Sequence, residues 1–182
     1  GKAYDGLYYR LNNLLWNSDV DDHVPFSSIT GGEILRTIRK PDRSGASSVV
    51  VHVAITLEML VDLKRSKRIM GVVSKGGSFT SAWMLQKGEE NPFLSHFDEI
   101  CGVLAERDAV LSLGNTMRSG CISDPMDAVQ VAGMEMNADL ANEGERLGVQ
   151  VMPRGLEATV TGVEHNRIRR RCKADVKHAS SK

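Results

Sequence analysis

Two basic side chains in this sequence follow short apolar runs and sit among glycines: Lys75 in GVVSKGG and Arg118 in LSLGNTMRSG. A cation beside glycine-loop amides suits a phosphate or a carboxylate, because the side chain supplies charge and the bare backbone supplies N–H donors. Ser74 precedes Lys75, and Gly76 and Gly77 follow it; Asn115, Thr116 and Met117 lead up to Arg118. Two further candidates share this setting. Arg154, with Gly155, comes after VQVMP, and His52 stands inside the apolar stretch SVVVHVAI, towards its end. A lone histidine there reads either as a buried ring bonded to a neighbouring carbonyl or as a ligand contact.

The elements that would position these side chains alternate in type. SVVVHVAI is a β-branched run, and TLEMLVDLKRSKR after it has Thr56 as a helix cap with Leu57, Leu60, Val61 and Leu63 apolar. IMGVVSKGG reads as a second strand. SFTSAWMLQKG and NPFLSHFDEICGVLAERD then have helical spacing, the latter with Pro92 near its start. AVLSLG is a third strand, DPMDAVQVAGMEMNADLANEGERLG a helix with Asp124 as cap and Pro125 at its first position, and VQVMP a fourth strand. Strands are thus expected to begin near residues 49, 69, 109 and 149. Upstream, Thr30 to Arg39 has helical spacing, while residues 1–29 form a lead-in without a clear pattern.

Nearly continuous apolar strands alternating with helices predict an α/β fold with a parallel sheet covered on both faces. A barrel of eight such units takes about 250 residues, so residues 30–182 are expected to form an incomplete (β/α) barrel of TIM type, about half of one. In that architecture the loops leaving the strands' C-terminal ends gather on one face, where ligands bind. His52, Ser74–Gly77, Asn115–Arg118 and Arg154 are all placed at such ends. They are therefore expected to line one cavity for a small anionic molecule. The alternative for each loop is that its glycines only turn a strand into a helix and its cation is solvated.

The remaining features exclude more than they suggest. The 182 residues carry 23 basic and 23 acidic side chains, so no global charge favours nucleic acid or an anionic membrane. No apolar run reaches the roughly 20 residues of a membrane helix, and a cytoplasmic location is the expectation. Cys101, Cys121 and Cys172 are scattered, which argues for reduced thiols rather than disulfides or a zinc knuckle. Trp83, Met134 and Met136 read as core, and the basic stretch HNRIRRRCKADVK as a solvated helix face.

Three stretches, GVVSKGGSFTSAWMLQKGEENPFLSHFDEI, LSLGNTMRSGCISD and GVQVM, resemble the phosphomethylpyrimidine synthase family of thiamine biosynthesis. The resemblance runs from about residue 30 to about residue 174. It implies a lyase that rearranges 5-aminoimidazole ribotide to hydroxymethylpyrimidine phosphate by radical chemistry. A four-iron four-sulfur (4Fe-4S) cluster, S-adenosylmethionine (SAM), zinc and a homodimeric assembly are also implied. By this resemblance His52 is a ribotide contact, Ser74, Lys75 and Gly76 match a serine-arginine-glycine loop, and Asn115 to Arg118 match an aspartate-glycine-leucine-arginine loop.

The sequence departs from that pattern at several of these positions. Lys75 stands for an arginine and loses its two-pronged geometry; Asn115 stands for an aspartate and Thr116 for a glycine. Arg154 falls where the family has a glutamate, and the place of a metal-binding histidine falls on Ala158, or on Glu157 if one residue is deleted. No metal site is therefore expected. With scattered cysteines and no cluster motif before Lys182, this chain by itself is expected not to hold the cluster and not to turn over. Two other readings stand beside this one: a 5-hydroxybenzimidazole synthase of cobamide assembly acting on the same ribotide, and a half barrel that binds an anion without catalysis.

Overall fold

The computed structural model describes residues 48–121 and 123–153, together with Thr30 and Gly32. The expected helix at 30–39, the lead-in, Arg154, Glu157 and the basic stretch lie outside the described residues, Thr30 and Gly32 apart.

Three short strands form a parallel sheet in the order β1 (Ser48–Val51), β2 (Val110–Leu113), β3 (Val151–Pro153). Ser48 to Val51 lie opposite Val110 to Leu113, and Leu111 to Leu113 lie opposite Val151 to Pro153. Parallel neighbours need long crossovers. The first contains α1 (Leu57–Arg65), α2 (Lys75–Lys87), α3 (Pro92–Ser95) and α4 (Phe97–Ala105); the second is α5 (Ala128–Arg146). The core joins Val51, Val53, Ile55, Leu111 and Leu113 from the strands and their extensions to Phe97, Ile100 and Leu104 of α4 and Val129 and Ala141 of α5. Such a three-stranded parallel α/β sheet is compatible with part of a barrel.

The stretch expected as a second strand is not one. Residues 71–73 run without regular structure, and β1 pairs directly with β2, so no ladder position exists between them. The backbone amides of Ile69 and Met70 donate instead to the two carboxylate oxygens of Asp124, at 2.8 and 2.9 Å. This also displaces the expected cap of α5. Asp127, not Asp124, is the N-cap, its carboxylate accepting from Gln130 N at 2.8 Å. Between them Met126 has a left-handed backbone with φ of 65°, which no continuing helix allows. SKGG is likewise no strand-end loop: Lys75 begins α2, with Gly76 and Gly77 in its first turn.

Other local signals act as read. The Thr56 hydroxyl accepts from Met59 N at 3.2 Å, Glu58 lies in the first turn of α1 and Lys64 and Arg65 in the last, matching the helix dipole. Asn91 caps α3, accepting from Phe93 N at 3.0 Å, with Pro92 at the first helical position.

Asn91 has a second role that bears on the site. Beyond Val51 the chain leaves the ladder, and the buried carbonyls of His52, Val53 and Ile55 need donors. The Asn91 side-chain amide supplies them, at 3.2, 2.7 and 3.3 Å. The polar end of this segment is thereby fixed where β1 stops.

Candidate functional site

His52, one residue past β1, is buried, and its Nδ1 lies 3.2 Å from the Thr116 hydroxyl. Burial foremost, and then the positive charge of Arg118, lower its pKa from 6.5 to about 4. The ring is therefore neutral at physiological pH, with one N–H and one acceptor nitrogen. Its floor is Gly114, the residue after β2: a Cβ there would come within 2.8 Å of ring atoms Cε1 and Nδ1. The Gly114 carbonyl accepts from the buried Asn137 of α5 at 3.3 Å, and its amide donates to Val51 at 2.8 Å.

Ser74 occupies the N-cap of α2 and makes no side-chain cap bond. Its hydroxyl crosses to the next crossover and donates to the Thr116 carbonyl at 2.9 Å. Gly77 permits this approach, since a Cβ at that position would strike Ser74 Oγ and lie 2.7 Å from the Thr116 methyl. The first turn of α2, carrying exposed Lys75 and buried Gly76, is thus held against the loop Asn115 to Arg118.

Of the residues singled out in the sequence, His52, Ser74 and Thr116 are joined by hydrogen bonds. Asn115 is buried beside them in the chain, and Arg118 is half-buried with its charge felt at His52. Met117 serves the core: its side chain is fully buried in the apolar cluster.

The loop is anchored by residues the sequence did not single out. The Arg68 side chain is fully buried; its Nε and one terminal nitrogen hold both Asp127 oxygens, at 2.6 and 2.8 Å. The same arginine donates to the carbonyls of Met117, at 2.7 Å, and Gly71, at 3.1 Å. Arg68 ends the stretch TLEMLVDLKRSKR, whose apolar spacing gives the arginine no distinct role. Only its partner, 59 residues away, distinguishes it.

Metal chemistry finds no ready ligands here. Among the described residues no group of three or more His, Cys, Asp or Glu side chains is placed to hold a metal ion. Cys101 is buried in α4, and burial foremost, then Asp98 and Glu143, push its thiol up to about 11, so it is no thiolate ligand. Cys121 lies next to Asp124, whose amide donates to the Cys121 carbonyl at 3.3 Å. The described donor set fits neither an iron–sulfur cluster nor zinc. No described helix is long and apolar enough to cross a membrane.

A buried neutral imidazole, the first turn of α2 and the loop carrying Arg118 are thus held together where β1 and β2 end. The model of the Radical SAM ThiC family matches residues 15–178. The phosphomethylpyrimidine synthase of Caldanaerobacter subterraneus subsp. tengcongensis is 40% identical over 122 residues, covering 67% of this chain and 28% of the relative. Phosphomethylpyrimidine synthase 2 of Methanosarcina barkeri is 39% identical over 127 residues, or 70% and 30%. The 5-hydroxybenzimidazole synthase BzaB of Eubacterium limosum is 36% identical over 136 residues, or 75% and 32%. The aligned part is thus under a third of each relative's length. The chain belongs to the Radical SAM ThiC family.

Proposed function

We propose that this chain forms the ribotide-binding part of a phosphomethylpyrimidine synthase of thiamine biosynthesis, in which 5-aminoimidazole ribotide becomes hydroxymethylpyrimidine phosphate. The observation that carries this reading is the bonded set His52, Thr116 and Ser74, from three separate segments, with Lys75 and Arg118 beside it. Lys75, Arg118 and the first amides of α2 take the phosphate, helped by Gly76; His52 and Asn115 address the ribose or imidazole; Met117 supports the loop from beneath. Arg154, which follows VQVMP in the sequence, is proposed from the sequence alone as a further anion contact. The parallel sheet is one sector of a TIM-type barrel, and the assembly is a cytoplasmic homodimer.

In the family, a 4Fe-4S cluster cleaving SAM supplies the radical chemistry. Because the described side chains do not fit that cluster, their part in the reaction is binding and orientation. The BzaB relative supports a second reading, a 5-hydroxybenzimidazole synthase acting on the same ribotide; analysis of the product separates the two. A binding-only half barrel predicts ribotide binding without turnover.

Calorimetric titration with 5-aminoimidazole ribotide is expected to show saturable binding. Arg118→Ala should weaken it about ten- to a hundredfold, the range for one charge-assisted hydrogen bond to an anion. Absence of heat with the ribotide would overturn the reading, and unchanged affinity in the variant would remove Arg118 from the site.

A further inference from the structure

We propose that Thr116 is a positioning residue that holds the His52 ring in a single orientation and tautomer, so that Nε2–H is the group presented to the ligand. The inference rests on the reading that His52 faces a bound ribotide, and it adds how the ring is set for that task.

Thr116 is itself held from two sides. Its carbonyl accepts from the Ser74 hydroxyl at 2.9 Å, and its methyl is packed against the first turn of α2, where even a Cβ on Gly77 would come within 2.7 Å. A β-branched side chain has few χ1 choices, so fixing the backbone and the methyl fixes the hydroxyl as well. That hydroxyl lies 3.2 Å from His52 Nδ1. On its other side the ring meets Gly114 so closely that a Cβ there would collide with Nδ1 and Cε1. The backbone carbonyl of His52 is tied to Asn91 at 3.2 Å. Ring and main chain are both clamped.

A neutral imidazole carries one proton, and the bond made by one nitrogen decides the role of the other. If the Thr116 hydroxyl donates to Nδ1, the proton resides on Nε2, which then donates to an oxygen of the ligand. An anionic ligand oxygen, which can only accept, is met by that donor. The opposite tautomer would offer it a lone pair. Ser74, Thr116 and His52 thus form a relay in which the start of α2 sets the hydrogen-bonding character of a ring on another segment.

The test uses chain with 15N-labelled histidine, without ligand, at neutral pH, and reads the His52 ring nitrogens by long-range proton–nitrogen correlation. The expected result is an acceptor-type Nδ1 and a protonated Nε2 in the unsubstituted protein. In Thr116→Val both nitrogens should move towards averaged values, and Thr116→Ser should restore the original pattern. Ribotide affinity should fall about two- to tenfold in Thr116→Val, the effect of one neutral hydrogen bond, and recover in Thr116→Ser. A protonated Nδ1 in the unsubstituted protein would overturn the proposal, as would unchanged ring shifts in a folded Thr116→Val. The first of these needs no variant to fold. A locked ring with no ribotide binding would contradict the ligand reading and leave the Thr116 lock standing; ribotide binding by an averaging ring would do the reverse.

Discussion

Asp127→Ala is expected to lower folding stability by about 3 kcal/mol, the low end for breaking a buried ion pair, because the Arg68 guanidinium loses its bonded carboxylate and keeps the nearby Asp124 charge and two carbonyls. Arg68 is fully buried at its side chain, and both Asp127 oxygens are engaged by it. The substitution also removes the N-cap of α5, a bond from Gln130 N at 2.8 Å, which contributes about 1 kcal/mol. Asp127→Asn separates the two effects, since asparagine still caps but carries no charge. Urea denaturation should place Asn between the parent and Ala, nearer to Ala. A loss below about 1 kcal/mol in Asp127→Ala would show that the buried pair does not hold the loop 117–127 to the segment after α1. Because Arg68 also ties the Met117 carbonyl, the Ala variant should loosen the approach to Thr116 and Arg118 and weaken ribotide binding in whatever fraction stays folded.

Acidification should destabilise the protein through His52. Its pKa is lowered to about 4 in the folded state against 6.5 when unfolded, so between those values the unfolded chain binds a proton that the native chain refuses. Stability therefore rises with pH across that window. It is intact above about pH 6.5 and reduced by about 3 kcal/mol once pH falls below 4. The Asp124 carboxyl adds to this in the same direction. The Ile69 amide foremost holds it below the usual carboxylate value, aided by Met70, Cys121 and Arg68 against an opposing effect of burial. Its share is likewise lost as pH falls. Comparing urea denaturation at pH 7 and pH 4 in the parent and in His52→Gln isolates the histidine. The parent should lose more stability than the variant. Equal losses would mean that His52 titrates normally and is open to water.

Signals carried by adjacent residues were legible in the sequence. Thr56 before LEML, Asn91-Pro92, and the apolar runs of β1, β2 and β3 each announce their elements within a few positions. The run SVVVHVAI reads as one strand with His52 inside it, towards its end, whereas the ladder stops at Val51, one residue before the histidine. The misreadings have a common physical cause. MGVVSKGG has the composition of a strand, but the amides of Ile69 and Met70 find a carboxylate 55 and 54 residues away before they find a ladder. Asp124-Pro125 carries every local mark of a helix start, and that same distant commitment takes its carboxylate elsewhere and leaves the cap to Asp127. The Thr116 contact with His52 spans 64 residues and is equally silent in a local reading. What decides the site, in short, is the partner chosen by Ser74, Arg68 and Asp124 when several are chemically allowed.

The central claim is that ligand, ring and cations meet at the end of the sheet where β1 and β2 stop. A titration of isotope-labelled chain with 5-aminoimidazole ribotide, followed by amide and histidine-ring resonances, tests it directly. The account predicts that His52, Ser74, Lys75, Thr116 and Arg118 shift together along one saturation curve. Shifts confined to the opposite end of the sheet, in the small cleft lined by Ala105, Asp108, Ala109 and Gly148, would contradict it.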